Sequence, residues 1–276
     1  MEFGVLTGFG TLDPPADVAV LVRHIEALGF DSVWLTEHVV FPATYEPAYP
    51  YTTDGVAPIG PEADLPDPLV WLTFAAAHST RLLLGTACVV LPQRNAAVLA
   101  KQAATLDRLS EGRLRLGVGL GWMREEAEAV GSVWAERARR TEDGIATLRA
   151  LWGSQPVLLP TGPAFSRPAP TTPGGPPLVV CGGSHAAAAR AGRVGDGWFS
   201  YLRDRPVLAG RLATMRAAAT EAGRDPATIE VSAGAFPHPR GLAELADLGV
   251  DRAVFTVPCR GLDRTRRQLD KLATLL

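Results

Sequence analysis

The sequence is short of lysine and cysteine and has no long uninterrupted apolar run. Lys101 and Lys271 are its only lysines. Both fall in segments that read as helix, so no lysine stands at a strand end, where an aldolase would need one for Schiff-base chemistry. The three cysteines, Cys88, Cys181 and Cys259, are odd in number, far apart and without a Cys-x-x-Cys pair. They read as reduced thiols of a cytoplasmic protein rather than as a disulfide or zinc framework. No apolar run approaches the roughly 20 residues that span a bilayer. The start, Met1 to Val5, lacks the basic region of a secretory signal. A net charge of −2 sets up no field for nucleic acid or an anionic membrane. No histidine and carboxylate spacing matches a metal motif, and no serine sits in G-x-S-x-G.

What is present is strand and helix in alternation. Leu82–Val90 is an apolar, partly β-branched run that fits a strand covered on both faces. Asn95 is a natural helix cap, and Val98, Leu99, Ala103 and Leu106 then recur at helical spacing. Gly112 stops that helix and Leu114–Val118 starts another strand, which makes a βαβ unit. Further strands begin near Phe3, Ser32, Leu178, Gly197, Ile229 and Arg252, with helices between nearly all of them. Eight repeats of strand and helix predict an α/β fold, a (β/α)8 TIM barrel spanning residues 1–276 as one domain. The alternative, an open doubly wound sheet, should carry G-x-G-x-x-G after its first strand; Thr7-Gly8-Phe9-Gly10 stands there instead.

In a barrel of this kind, chemistry belongs at the carboxyl ends of the strands. Glu37-His38 falls at the end of the second strand, where a histidine can exchange a proton near neutral pH. Thr86, Ala87, Cys88, Gly119 and Gly121 lie at or just beyond the ends of the next two, and small residues there admit a ligand close to the backbone. Gly182-Gly183-Ser184 lies between a strand and the Ala-rich helix from His185. This is a candidate phosphate cradle, or simply a tight turn with Ser184 as cap. His185 could help bind an anion there, and His238 is a weaker pocket candidate, whereas His24 and His78 fall within helices and read as structural. Glu125, Glu126 and Glu128 read as the solvated first turn of a short helix. The loop from Phe41 to Pro68, long and rich in Pro and Tyr, reads as a lid, and its Tyr45, Tyr49 and Tyr51 suit an apolar or aromatic ligand.

Four stretches together carry a family resemblance: LGFDSVWLTEHVVFP, DPLVWLTFAAAHSTRLLLGTACVVLPQRNAAVLAKQAATLDRLSEGRLRLGVGLGWMREEAEAVG, RARRTEDGIATLRALW and PPLVVCGGSHAAAARAGRVGDGW. They resemble the bacterial luciferase-like oxidoreductases, and most nearly the branch assigned the deazaflavin coenzyme F-420. The resemblance implies a barrel that binds a deazaflavin or flavin at its carboxyl end. His38 would lie beside the ring, and the backbone at Ala87-Cys88 would back it through a bulge with a non-prolyl cis peptide. Gly182, Gly183 and Ser184 would hold the phosphate, and the protein would be a homodimer. Two features depart from the family pattern. Members that oxidise alcohols or sugar phosphates have a glutamate at the tip of the fourth strand, where this chain has Gly119-Leu120-Gly121. The connection from Gly153 to Pro177 lacks the aromatic-rich hairpin sequence that many members have.

The expectation is an F-420-dependent oxidoreductase acting on a small organic substrate, with His38 as proton donor or electrostatic partner and Glu37 orienting it or touching substrate. One alternative is an FMN-dependent monooxygenase; another is a carrier that binds flavin or deazaflavin without turnover.

Overall fold

Residues 1–10, 14–159 and 162–276 are described in the computed structural model of the chain. Residues 11–13, 160 and 161 lie outside the described residues, and the last two belong to the connection read from Gly153 to Pro177. The elements run β1 (Glu2–Leu6), α1 (Pro15–Ala27), β2 (Ser32–Leu35), α2 (Pro68–Ala77), β3 (Leu83–Thr86), β4 (Val89–Val90), α3 (Ala96–Leu109), β5 (Leu114–Gly119), α4 (Arg124–Ala129), α5 (Arg137–Trp152), β6 (Val157–Leu159), β7 (Gly162–Ala164), β8 (Leu178–Cys181), α6 (His185–Val194), β9 (Gly197–Ser200), α7 (Arg205–Glu221), β10 (Glu230–Ala235), α8 (Pro239–Asp247), β11 (Arg252–Thr256) and α9 (Leu262–Ala273).

The strands pair in parallel in the order β3-β2-β1-β11-β10-β9-β8-β5-β4, and β3 also pairs with β5, which closes the ring. The run expected as one strand from Leu82 to Val90 is two. Leu84 pairs with Leu114 in β5, while Val89 pairs with Val118. The offset falls from thirty to twenty-nine across the break, so one residue is bulged out of the ladder. The Ala87–Cys88 peptide inside the break is cis. With β3 and β4 taken as halves of one strand, the barrel has eight strands, as the alternation predicts.

Strands covered on both faces bury nearly every side chain, and β2 and β9 do so throughout. One apolar cluster, containing Leu6, Trp34, Val179, Phe199 and Val254, lies apart from the larger core that joins strands to helices. Trp34 is fully buried, donates to Ser32 Oγ at 2.9 Å and stacks at a tilt on Phe199. Gly85 is required beside it, because a Cβ there would run into the indole.

Helix starts follow the capping chemistry expected of their residues. Asn95 accepts from the amides of Ala97 and Val98, and Ser184 from that of Ala187. Leu99, Ala103 and Leu106 face the core as their spacing predicts, but Val98 points outward and is 55% exposed. Helix α8 starts earlier than its apolar pattern suggests, at Pro239, since proline suits a first helical turn. The connection after α5 forms an antiparallel hairpin of β6 and β7 outside the barrel, despite lacking the aromatic sequence of its counterparts. No described helix is long and apolar enough to cross a membrane.

At the amino-terminal end of the barrel, the guanidinium of Arg252 is 1% exposed and meets three carboxylates. Its Nε donates to Asp31 at 2.6 Å, and its two terminal nitrogens donate to Glu2 and Glu230. This ties β1, the start of β2, β10 and β11 together at one point. Arg252→Met should therefore leave three carboxylates facing one another and lower stability by about 2–4 kcal/mol. That is below the usual limit for a broken buried pair because the carboxylates are partly solvated. Urea denaturation at neutral pH measures it, and a loss under about 0.5 kcal/mol, the size of ordinary surface effects, would mean the network is dispensable.

Candidate active site

The carboxyl ends of the strands bring most of the expected residues to one mouth, but not in the expected partnerships. Glu37 and His38 follow β2 as sequence neighbours, but their side chains take different partners. Glu37 is buried and accepts from the Val90 amide at 2.6 Å and from Arg94 Nε at 2.8 Å. Arg94 also reaches Asp67, the cap of α2, at 2.6 Å. Burial alone would depress the Arg94 guanidinium, yet Glu37 and Asp67 beside it raise it on balance. Glu37 is thus a clamp between the tip of β2 and β4. It does not orient His38, and it is turned away from any substrate beside that ring.

The partner of His38 is Glu126. The imidazole Nδ1 lies 2.8 Å from Glu126 Oε2, and Oε1 accepts from the Val39 amide at 2.6 Å. Both side chains are buried, at 8% and 2% exposure. An ionised carboxylate accepts only, so Nδ1 carries the proton and Nε2, on the far edge of the ring, is the acceptor. The sequence reading had left Glu126 in a solvated turn with Glu125 and Glu128. The spacing held the missing signal: Glu126 is three residues after the buried Met123 and beside the buried Ala127, on the inner face of α4, while Glu128 points out.

The floor of the mouth is built from the broken strand and from β5. Thr86 is fully buried and donates its hydroxyl to the Gly117 carbonyl at 2.7 Å, so it braces the wall. Gly119 makes room for Cys88, because a Cβ there would collide with the Cys88 sulfur. Gly121 has φ +78°, and a Cβ on it would come within 2.8 Å of Val90. These glycines admit protein neighbours first, which the argument from ligand approach did not anticipate. Cys181 ends β8 beside Cys88; burial, and then the Cys88 thiol bonded to it, push its own thiol well above the ordinary range.

Gly182-Gly183-Ser184 leads into α6 as expected. Gly182 has φ +133°, its amide bonds the Phe199 carbonyl at 2.9 Å, and its carbonyl accepts from Trp198 Nε1 at 2.9 Å. Arg211 Nε donates to the Gly183 carbonyl at 3.0 Å, and its terminal nitrogen contacts the exposed His185 ring. The turn is thereby held open at a helix start beside a guanidinium, a setting suited to an anion. His238 sits at the start of α8 and makes no side-chain cap there.

The lid is ordered across this mouth. Gly10 and Asp64 exchange backbone hydrogen bonds at 3.1 and 2.9 Å, the Glu46 amide donates to Glu125 at 2.8 Å, and the Ala57 amide to the Tyr45 hydroxyl at 3.1 Å. Edge-to-face contacts link Trp122 to His38, Tyr45 and Tyr49, with centroids 5.8, 5.5 and 5.2 Å apart. Tyr49 continues to Tyr51, and Tyr51 to Tyr201. The Tyr51 hydroxyl descends to the Gly183 amide, beside Cys88 and Cys181; burial pushes its ionisation upward. In this arrangement Tyr51 stands between the thiol floor and the α6 turn.

Comparison with known proteins places the fold and the family. The luciferase-like monooxygenase family model matches residues 1–267. An uncharacterised protein of Mycobacterium tuberculosis is 32% identical over 285 residues, covering 100% of this chain and 99% of its own. A phthiodiolone/phenolphthiodiolone dimycocerosates ketoreductase of a Mycobacterium species is 32% identical over 241 residues, 82% of this chain and 62% of that protein. Among solved structures, an F-420-dependent secondary alcohol dehydrogenase with an F-420–acetone adduct superposes with a TM-score of 0.79 at 17% identity, covering 100% of this chain and 98% of its own. A Pseudomonas putida Baeyer–Villiger monooxygenase with FMN gives 0.65 at 20%, over 84% and 66%. At these identities the two structures show a shared fold.

Glu126→Ala should free the His38 ring, because Nδ1 and the Val39 amide lose their only acceptor. The nitrogen-bound Nδ1 proton, protected in the native protein, should broaden beyond detection in nitrogen-15 NMR, and stability should fall by about 1–3 kcal/mol for the orphaned donors. A sharp, unshifted Nδ1 signal in the variant would show that Glu126 does not hold the ring.

Proposed function

The chain belongs to the luciferase-like monooxygenase family and is an oxidoreductase, and from that premise we propose that it seats coenzyme F-420 at the barrel mouth and reduces a carbonyl of a small organic substrate. The observation that carries this reading is His38, pinned at Nδ1 by a buried carboxylate and with no protein partner at Nε2 among the described residues. The residues present suit the coenzyme: the turn at Gly182-Gly183-Ser184 offers amides at a helix start for its phosphate, and the backbone around Ala87-Cys88 offers a flat floor for its ring. When bound, the coenzyme supplies two-electron hydride chemistry. The chain's own part is proton handling and shielding. Glu126 holds the Nδ1 edge of His38, and the free Nε2 edge is the one that would exchange a proton with the oxygen that gains charge as the carbonyl is reduced. Trp122 and the tyrosines of the lid exclude water once Tyr51 has moved from the floor. The mycobacterial ketoreductase relative supports a carbonyl substrate, and the FMN-bound neighbour supports the rival, an FMN monooxygenase.

Anaerobic fluorescence titration with F-420 and with FMN separates the two, followed by reduced-coenzyme consumption over a panel of ketones and aldehydes. F-420 should bind at least about tenfold more tightly, a difference near 1.4 kcal/mol. His38→Ala should keep that affinity within a few-fold and lose about 10²–10⁴ in rate. Binding of FMN alone, with oxygen consumption by the reduced complex, would overturn the F-420 assignment.

We also propose a homodimer that pairs through α2. This helix is apolar on every side, and Val70 (71% exposed), Phe74 and Ala77 form an outward stripe, with Val98 and Leu109 outward on the adjacent α3. Val70→Glu should shift the mass measured by light scattering from dimer to monomer without loss of secondary structure; a monomer before substitution would end this assignment.

A further inference from the structure

Two thiols that the proposed reaction leaves idle meet on the floor of the mouth. Cys88 lies in the break between β3 and β4, and Cys181 ends β8, with β5 running between them. Their sulfurs lie over two glycines on the same face of β5. A Cβ at Gly119 would collide with Cys88 Sγ, and a Cβ at Gly117 would lie 3.0 Å from Cys181 Sγ. At Gly117 a side chain would meet the Thr86 carbonyl first and then the Cys181 sulfur; at Gly119 it would meet the Cys88 sulfur. The thiols hydrogen-bond each other, and Cys181 Sγ also faces the Val179 carbonyl at 3.7 Å and the Thr86 carbonyl at 4.0 Å. Both cysteines are partly exposed, whereas Cys259 is buried beside the Thr7 hydroxyl at 3.5 Å. Cys88 sits in the break itself, where the ladder between the two halves of the strand and β5 is interrupted.

We propose that Cys88 and Cys181 are a reversible dithiol–disulfide site, oxidised by hydrogen peroxide, and that the disulfide closes the cofactor seat. In the first step the Cys88 thiolate attacks peroxide. The O–O bond breaks, an S–O bond forms, hydroxide leaves, and sulfur is oxidised as peroxide is reduced. In the second, the Cys181 sulfur attacks the Cys88 sulfenic acid. The S–S bond forms, the S–O bond breaks, and the thiol proton leaves with the hydroxyl as water. Cys181, whose thiol is pushed upward in this setting, serves as the resolving thiol beside Cys88. Bridging the two sulfurs draws the tip of β8 towards β4 across β5 and narrows the floor against which the ring would lie. The effect on cofactor binding rests on the function proposed above; formation of the disulfide does not.

The test uses the full-length reduced protein and dilute hydrogen peroxide. The intact mass should fall by about 2 Da, the two thiol hydrogens. A non-reducing peptide map should join Cys88 to Cys181, and dithiothreitol should restore the thiols. Cys88→Ser should abolish the mass loss, while Cys259→Ser should not. Oxidation should weaken binding of F-420 or FMN at least about tenfold. An unchanged mass, separate oxygen additions on each cysteine, or a bridge to Cys259 would overturn the site. A clean Cys88–Cys181 bridge that leaves cofactor affinity intact would overturn the closure. If the reduced protein binds neither cofactor, the function proposed above fails while the mass and map still decide the disulfide.

Discussion

The barrel closes only because β5 accepts both halves of a broken strand. β3 pairs with its first residues and β4 with its last, one residue out of step. The offset is possible because β5 is nearly bare on that side. Gly117 lets the Thr86 carbonyl approach, Gly119 takes the Cys88 side chain, and Gly121 takes Val90. Glu37 then fixes the displaced half by accepting from the Val90 amide while paired to Arg94. The bulge, the thiol pair and the floor of the mouth all follow from that accommodation. A sheet closed by an even ladder would have presented a smooth wall there, with its side chains alternating in and out.

Much of this was legible in the sequence, and the reason is physical. Strands buried on both faces must be apolar throughout, so Leu82–Val90, Leu114–Val118 and Leu178–Cys181 announce themselves. Caps such as Asn95 and Ser184 serve local needs that neighbouring residues reveal. The family resemblance implies the bulge at Ala87-Cys88, and it is present. The run alone does not reveal it, because both halves of the broken strand are equally apolar and the register belongs to the partner strand. The two glutamates exchanged roles for a related reason. Sequence adjacency made Glu37 the natural companion of His38, but Glu37 is taken by the Val90 amide and Arg94. The true partner, Glu126, comes from an element 88 residues away. Its helix carries three glutamates, and only contact with Met123 and Ala127 separates the buried one from its solvated neighbours.

The lid loop presents the opposite case. Its composition predicted an aromatic cover, and Tyr45, Tyr49 and Tyr51 do gather on Trp122. What composition could not give is depth. Tyr51 reaches through to the Gly183 amide, so the side chain expected to cap a ligand stands on the ligand's ground. Burial pushes the Tyr49, Tyr51 and Tyr201 hydroxyls upward, with Arg203 opposing it at Tyr49 and Thr256 at Tyr201. All three therefore remain neutral over the physiological range, and the lid closes without burying charge. A neutral phenol on an amide is a contact that a phosphate oxygen outcompetes, since a charged acceptor forms a bond roughly twice as strong as a neutral one.

That ranking orders events at the mouth. The turn before α6 is set by Gly182, by Trp198 Nε1 on its carbonyl and by Arg211 on the carbonyl of Gly183, none of which depends on Tyr51. The turn therefore keeps its shape independently of the lid, and Tyr51 stands against it. His38 is likewise set in advance, by a carboxylate that the lid does not touch. Neither fixed point depends on the lid, which packs on the mouth through aromatic edges, the Tyr51 phenol and a few hydrogen bonds at its ends. Such edge contacts stabilise by about 0.5–1.5 kcal/mol each beyond their buried area, enough to hold a closed lid and little enough for a bound anion to reverse. Pre-organisation of the reacting ends and looseness of the cover are thus two results of one division. The buried charged contacts of Glu37 and Glu126 hold the strand tips, while aromatic contacts dominate the middle of the loop.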